Sequence, residues 1–226
     1  FVTVTRPSGY NVLGHRYQPL APAVDFAFAP SGGDETKFTF IHVTDTHLST
    51  RPESLAGLQR FVRDVNALDP PPLFVLNSGD LIDMDKQMTA PAALGRTYFE
   101  TYTATMDGLK MPHYNVAGDH TDVGYRMDRF PRGDFRCGKA MFWEYLGPHF
   151  ASFEYGKLHF VLVDYVYHLS EKTTHQLIPE HLSWLRQDLE CRTPGTMVLT
   201  ASEGPLEESV AGFTDHLELR LRLQQR

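Results

Sequence analysis

Three short clusters carry the residue types that bind metals: Asp45-Thr46-His47, Gly79-Asp80 and Gly118-Asp119-His120. Carboxylate oxygens mixed with imidazole nitrogens suit Zn, Fe or Mn, or Mg where oxygen dominates. A carboxylate has two oxygens, so one central Asp can hold two cations roughly 3.5–4 Å apart. The glycines beside Asp80 and Asp119 allow the close backbone approach that a crowded site needs.

Any one of these clusters alone is weak evidence; what gives them weight is where they fall. FTFIHVT (38–44) is a continuous apolar run of strand length, of the kind buried on both faces, and it ends at Asp45. LFVLN (73–77) ends at Gly79-Asp80, and PHYNVA (112–117) ends at Gly118-Asp119-His120. Between them, Leu55, Leu58, Phe61, Val62, Val65 and Leu68 recur at helical spacing until Pro70-Pro71-Pro72, and 89–107 has helical composition. This β-α-β-α-β order predicts an α/β fold with a parallel sheet sandwiched by helices. In such sheets the loops at the carboxyl ends of the strands share one edge, so the three clusters are expected to converge.

Further along, ASFEY and LHFVLVD flank Gly156-Lys157 as an antiparallel hairpin. Pro179 opens a helix through Leu182, Trp184, Leu185 and Leu189, TMVLT (196–200) reads as a strand, and 207–226 reads as a helix. The turn-rich stretch APSGGDET (29–36) marks a boundary between a β-rich N-terminal segment, 1–34, and a main domain, 35–226.

The 226 residues, 42% hydrophobic and 12% aromatic, are enough for one sizeable packed domain. A net charge of −7 without a Lys/Arg run argues against a nucleic-acid surface. No apolar stretch reaches the roughly 18–20 residues that span a bilayer. The chain begins with Phe1 and lacks a signal-peptide layout, so a processed or trimmed product is expected. Cys137 and Cys191 match no zinc spacing; two free thiols are the simpler reading, with one disulfide as the alternative.

The motifs DTH, GD and GDH, at these spacings, resemble those of the calcineurin-like metallophosphoesterases, whose pattern is D-x-H, G-D, G-N-H-[DE], a lone His and G-H-x-H. GPHFASFEYGKLHFVLVD and HLSWLRQDLE resemble the family's hairpin and following helix, and FVTVTRPSGY resembles the β-rich N-terminal module of secreted bacterial members. The resemblance implies central β-sheets flanked by helices and two divalent metal ions (Mn, Mg, Fe or Zn). It places Asp45 and His47 on the first metal, Asp80 between both, and Asp119 on the second, where the family has Asn. Glu203 stands near the position of the lone His, making it a further candidate metal ligand. His120 would be catalytic, as an acid or as a stabiliser of charge on the phosphoryl oxygens, and Asp122 would support it. The implied function is hydrolysis of a phosphoric mono- or diester, small or macromolecular, by a metal-activated hydroxide. A periplasmic or secreted location follows from the same resemblance.

The chain also departs from that pattern. Asp119 and Glu203 add charge and oxygen at the second metal, which favours a harder cation such as Mg or Mn, or else marks a site that has decayed. No G-H-x-H occurs, and His216 is the only histidine after Glu203, so either the motif lies beyond the chain or is absent. The alternative function is therefore a catalytically impaired member that binds a ligand or partner without turnover. His168, after LHFVLVD, is a candidate substrate-binding residue. His42 reads as a core histidine satisfied by a hydrogen bond, Asp83 and Asp85 as solvated loop charges, with support of the metal-binding residues as the alternative, and His175 as structural or exposed. TASEG (200–204) nearly fits a nucleophile elbow, but the only downstream acid and imidazole, Asp215 and His216, are adjacent on one helix and cannot form a relay.

Overall fold

The computed structural model describes residues 1–84, 92–125, 129–169 and 172–204. The expected helix at 207–226, His216 and Asp85 lie outside them.

Two three-stranded sheets form the body. The first joins β5 (Ile41–Val43), β6 (Val75–Asn77) and β7 (His113–Asn115), all parallel, in that order. The second joins β8 (Phe150–Tyr155), β9 (Leu158–Val163) and β12 (Met197–Ala201), with β9 central, antiparallel to β8 and parallel to β12. Strand side chains alternate between faces, and the core divides accordingly. Leu76 and Tyr114 from the first sheet meet Phe153, Tyr155, Phe160 and Leu162 from the second around the fully buried Phe74. Phe74 lies against six aromatic rings, from 4.6 Å (Tyr155) to 6.3 Å (Phe38) between centroids.

The opposite face of the first sheet takes the helices. α1 (Pro52–Asn66) has Pro at its first turn, where no backbone donor is lost, and buries Leu58, Val62 and Val65 at the spacing of one helical stripe. α2 (Ala92–Met106) buries Tyr98, Phe99, Tyr102 and Met106 beside it, and the short α3 (Ala140–Leu146) adds Met141 and Phe142. On the outer face of the second sheet, α4 (Pro179–Cys191) sets Leu185 and Leu189 against Val161 and Val163. The result is an α/β fold of four layers, helix, sheet, sheet, helix.

Two expectations are corrected by this layering. Helices cover only one face of the parallel sheet, because the hairpin strands build a second sheet against the other. FTFIHVT is not buried on both faces: β5 is an edge strand, and His42 within it is exposed, its Nε2 2.8 Å from Ser78 Oγ. The sequence reading also missed a small antiparallel hairpin, β10 (Val166–Leu169) with β11 (Lys172–His175), in which Val166 pairs with His175.

Residues 1–34 form two ribbons, β1 (Val2–Thr3) with β3 (Tyr17–Gln18) and β2 (Tyr10–Leu13) with β4 (Ala27–Pro30). Arg6 ties them to the body: it bridges Phe153 on the edge of β8, donates to Glu154 O at 2.5 Å, lies 3.6 Å from the Tyr155 ring and pairs with Glu35. Burial alone would raise the Glu35 carboxyl; hydrogen bonds from Arg6, Gly9 N–H and Ser8 outweigh it and bring it down to about 2. Among the described residues no helix is long and apolar enough to cross a membrane. Cys137 is buried, its Sγ 2.9 Å from Tyr125 O, and Cys191 is exposed; they do not form a disulfide with each other.

Candidate metal centre

The first two clusters face each other across the end of the parallel sheet. Past Val43 and Asn77 the β5 and β6 chains remain hydrogen-bonded, Asp45 N–H donating to Gly79 O (3.1 Å) and His47 N–H to Asp80 O (2.9 Å). Pairing resumes as a parallel bridge between Leu48 and Ile82. Between these points Asp45, His47 and Asp80 adopt φ of 56°, 41° and 50°, a left-handed conformation that costs a non-glycine residue roughly 1–2 kcal/mol. That geometry turns the three side chains toward one another: His47 Nε2 lies 3.5 Å from Asp45 Oδ1 and 3.5 Å from Asp80 Oδ2.

The third cluster arrives from β7 on a single 3-10 turn, Asp119–Thr121. The buried Thr121 hydroxyl accepts from Leu81 N–H and Gly118 N–H, both at 3.2 Å, locking this turn to the Asp80 loop. His120 N–H donates to Asp80 Oδ1 (3.1 Å), and His120 Nε2 lies 3.7 Å from Asp119 Oδ1. Gly118 is required here because a Cβ would stand 2.2 Å from Asp80 Oδ1. From the second sheet, the residues after β12 bring in Glu203, whose Oε1 accepts from Asp119 N–H at 3.0 Å.

The structure thus brings Asp45, His47, Asp80, Asp119, His120 and Glu203 together. Their donor atoms form overlapping groups, each spanning no more than 4.8 Å: Asp45/His47/Asp80, Asp80/Asp119/His120 and Asp119/His175/Glu203. Asp80 belongs to two of them. His168 is not brought there. It is buried, its Nε2 3.1 Å from Asp122 Oδ2 and its ring stacked 4.1 Å from Tyr125. Asp122 in turn meets the buried Lys139, which also holds Asp164, each at 2.9 Å. Asp122 is therefore set in a buried ion network behind the 3-10 turn.

Asp83 is not a solvated loop charge as expected: its Oδ1 is 3.4 Å from His120 Nδ1, and its side chain is 19% exposed. Its signal in the sequence was only its place three residues after Asp80. His175 is exposed, as the sequence reading allowed, and its Nε2 also lies 3.3 Å from Glu203 Oε2.

The electrostatics show what the cluster needs. Burial is the largest cause raising Asp80 above the usual carboxylate range, Asp119 adds to it, and His120 and His47 pull the other way. Glu203 is pushed up to about 7, chiefly by burial, with Asp80 and Asp119 adding, against His175 and the Asp119 N–H. The Glu203 carboxylate holds His175 above its ordinary value. Glu203 Oε2 is buried and has no aligned donor among the described residues, since His175 lies within ion-pair distance but off the hydrogen-bond line. Carboxylates this close and this dry resist ionising together, and a divalent cation among them restores the charged form. The donor set fits divalent cations.

No curated protein sequence matches the chain. Among solved structures, a purple acid phosphatase from yellow lupin (Lupinus luteus) seeds aligns at 12% identity and a TM-score of 0.46, covering 78% of this chain and 32% of that one. A dimetal phosphatase from Danio rerio aligns at 17% identity and a TM-score of 0.41, covering 66% and 50%. The chain thus spans a third to a half of the length of these proteins. A sequence profile described as calcineurin-like phosphoesterase matches residues 38–223. With four fifths of its length inside that match, the chain belongs to the calcineurin-like phosphoesterase family.

Proposed function

We propose that this protein is a metal-dependent phosphoesterase that uses two divalent cations. The observation that carries this reading is Asp80, a buried carboxylate whose two oxygens face different partners, Oδ2 toward His47 and Oδ1 toward the His120 loop, and which two candidate donor groups share. Asp45, His47 and Asp80 would hold one cation, and Asp80, Asp119 and Glu203 the other. Divalent cations bound there supply Lewis acidity to a phosphoryl group and to the attacking water. His120 is held at Nδ1 by Asp83, which leaves Nε2 as the position that delivers a proton to the leaving oxygen. Gly118 and Thr121 keep the loops close enough for these groups to act on one phosphorus.

The test is hydrolysis of p-nitrophenyl phosphate and bis-p-nitrophenyl phosphate with Mn, Mg or Zn added after chelation, comparing wild type with Asp80→Ala. A rate that depends on the cation and is lost in the variant is expected. Equal rates in both proteins refute the assignment, and cation binding without turnover in wild type supports a binding module in its place.

A further inference from the structure

His175 comes from none of the three strand-end clusters and from no motif in the sequence, yet it completes a donor group. It is the last residue of β11, and the hairpin end is fixed there by Gln176 N–H donating to Tyr165 O at 2.8 Å. Tyr165, itself buried, has its ring 5.5 Å from that of His175 and its hydroxyl against Gly204, where a Cβ would come within 2.8 Å. One residue therefore meets both the hairpin end, through its carbonyl, and the loop that carries Glu203, through its hydroxyl.

We infer that His175 is an imidazole ligand of the second cation, supplied by the β10–β11 hairpin alongside Asp119 and Glu203. This rests on the proposed function. The donors of the three residues lie within 4.8 Å of one another, and the 3.3 Å from His175 Nε2 to Glu203 Oε2 falls in the roughly 3–4 Å range separating ligands around one small divalent ion. A plain His–Glu ion pair would account for that distance but for neither of two other features. Asp119 adds a second carboxylate to the group, which a lone imidazole cannot neutralise. Glu203 Oε2 is buried and, with His175 Nε2 3.3 Å away, has no aligned hydrogen bond among the described residues. A cation between them uses both as they stand. An imidazole also changes the metal: with Asp119 and Glu203 alone oxygen would dominate and Mg would suit, whereas a nitrogen donor moves the preference to Mn, Fe or Zn.

The experiment is Mn(II) binding to the chelator-stripped chain by isothermal titration calorimetry, with metal content measured after dialysis. Wild type, His175→Gln, His175→Ala, Asp45→Ala and, as a remote control, His15→Ala are compared, with thermal melting of each. Wild type and the His15 variant are expected to take two Mn(II). Both His175 variants should keep the tighter site and weaken the other by at least ~10-fold, and Asp45→Ala should lose the complementary site. If the His175 variants bind two cations with wild-type affinity and only the melting temperature moves, His175 is an ion-pair partner and the inference fails. If wild type itself binds fewer than two, the proposed function falls first and this inference with it.

Discussion

Gly118→Ala tests the site without touching any charge. Gly118 is extended (φ −119°, ψ 175°), a conformation any residue adopts, so the substitution is free of backbone strain. Its entire effect comes from the methyl group, which would stand 2.2 Å from Asp80 Oδ1, 2.5 Å from Asp80 N and 2.9 Å from Glu203 Oε1. To reach an ordinary 3.4 Å contact, Asp80 Oδ1 must retreat by about 1.2 Å. Rotation of the carboxylate cannot supply this, because the Asp80 backbone nitrogen is also in the way, and the Asp80 carbonyl is held by His47 N–H at 2.9 Å. The two loops must part, which costs about 1–3 kcal/mol as overpacking. For a chain of this size that lowers the melting temperature by roughly 2–12 °C. A displacement of about 1 Å costs on the order of 100-fold in rate where groups must act on one atom. The assay is cation-dependent hydrolysis of bis-p-nitrophenyl phosphate together with Mn(II) calorimetry. Gly33→Ala is the control, since a Cβ there meets nothing within 4 Å. If Gly118→Ala hydrolyses and binds Mn(II) like wild type, the Asp80–Gly118 contact does not define the site.

Asp83→Asn should lower kcat by about 10–100-fold with cation stoichiometry unchanged, because it loosens His120 at Nδ1; an unaltered kcat at saturating substrate would remove Asp83 from the machinery. His181 is buried with neither ring nitrogen hydrogen-bonded among the described residues, and burial, helped by Lys139, lowers it to about 4. The unfolded chain therefore takes up its proton first, and stability is lost as pH falls from about 6.5 to about 4, by roughly 3 kcal/mol for this group. Urea titrations at pH 7 and pH 4.5 should show a smaller difference for His181→Phe than for wild type, and equal differences would contradict the linkage. His159 runs the other way: burial lowers it, but Asp188 and Glu154 outweigh burial and raise it, so its stabilisation is complete below pH 6.5 and is lost as pH rises through the elevated value. Asp188→Asn should flatten that alkaline limb. Asp45→Ala and Asp45→Gly both delete a donor, but only alanine keeps the left-handed strain at φ 56°, so the glycine variant should be the more stable by about 1 kcal/mol in denaturant titrations.

Asp45, His47, Asp80 and Asp119 were legible because parallel strands put their carboxyl-end loops on one edge, so strand recognition alone implied convergence. Glu203 was reached only through resemblance, and the second sheet that brings it close was not foreseen. Sheet-on-sheet packing is hard to read because a strand facing helices and a strand facing another sheet are equally apolar: LFVLN covers α1 and α2 with Val75 and the hairpin with Leu76. His42 misled for the related reason that strand order, not strand composition, decides which strand is the edge. Asp83 and His175 were illegible for a different reason. Each matters through one contact made across the chain, Asp83 to His120 and His175 to Glu203, and neither local pattern encodes the partner. His168 lies on the other strand of the same hairpin, paired with Thr173 near the turn, so the two histidines sit at different levels of the ladder, His175 toward the Asp119 loop and His168 buried on Asp122.

The two halves of the centre are built on different principles, and this has a consequence for how they fail. Asp45, His47 and Asp80 lie in a stretch clamped at both ends, by the Val43–Asn77 pairing before it and the Leu48–Ile82 bridge after it, so a single sheet fixes all three. Their strained backbone persists because the ladder on either side over-determines it. Asp119, His175 and Glu203 come from a 3-10 turn, a hairpin end and the loop after β12, joined directly by the Asp119–Glu203 hydrogen bond and the His175–Glu203 contact. Their spacing depends on how the first sheet seats on the second, through the Phe74 cluster. A substitution in that inter-sheet core therefore reaches the second half of the site before the first, and under the proposed function a cation at Asp45 and His47 is the one that should survive a loosened core.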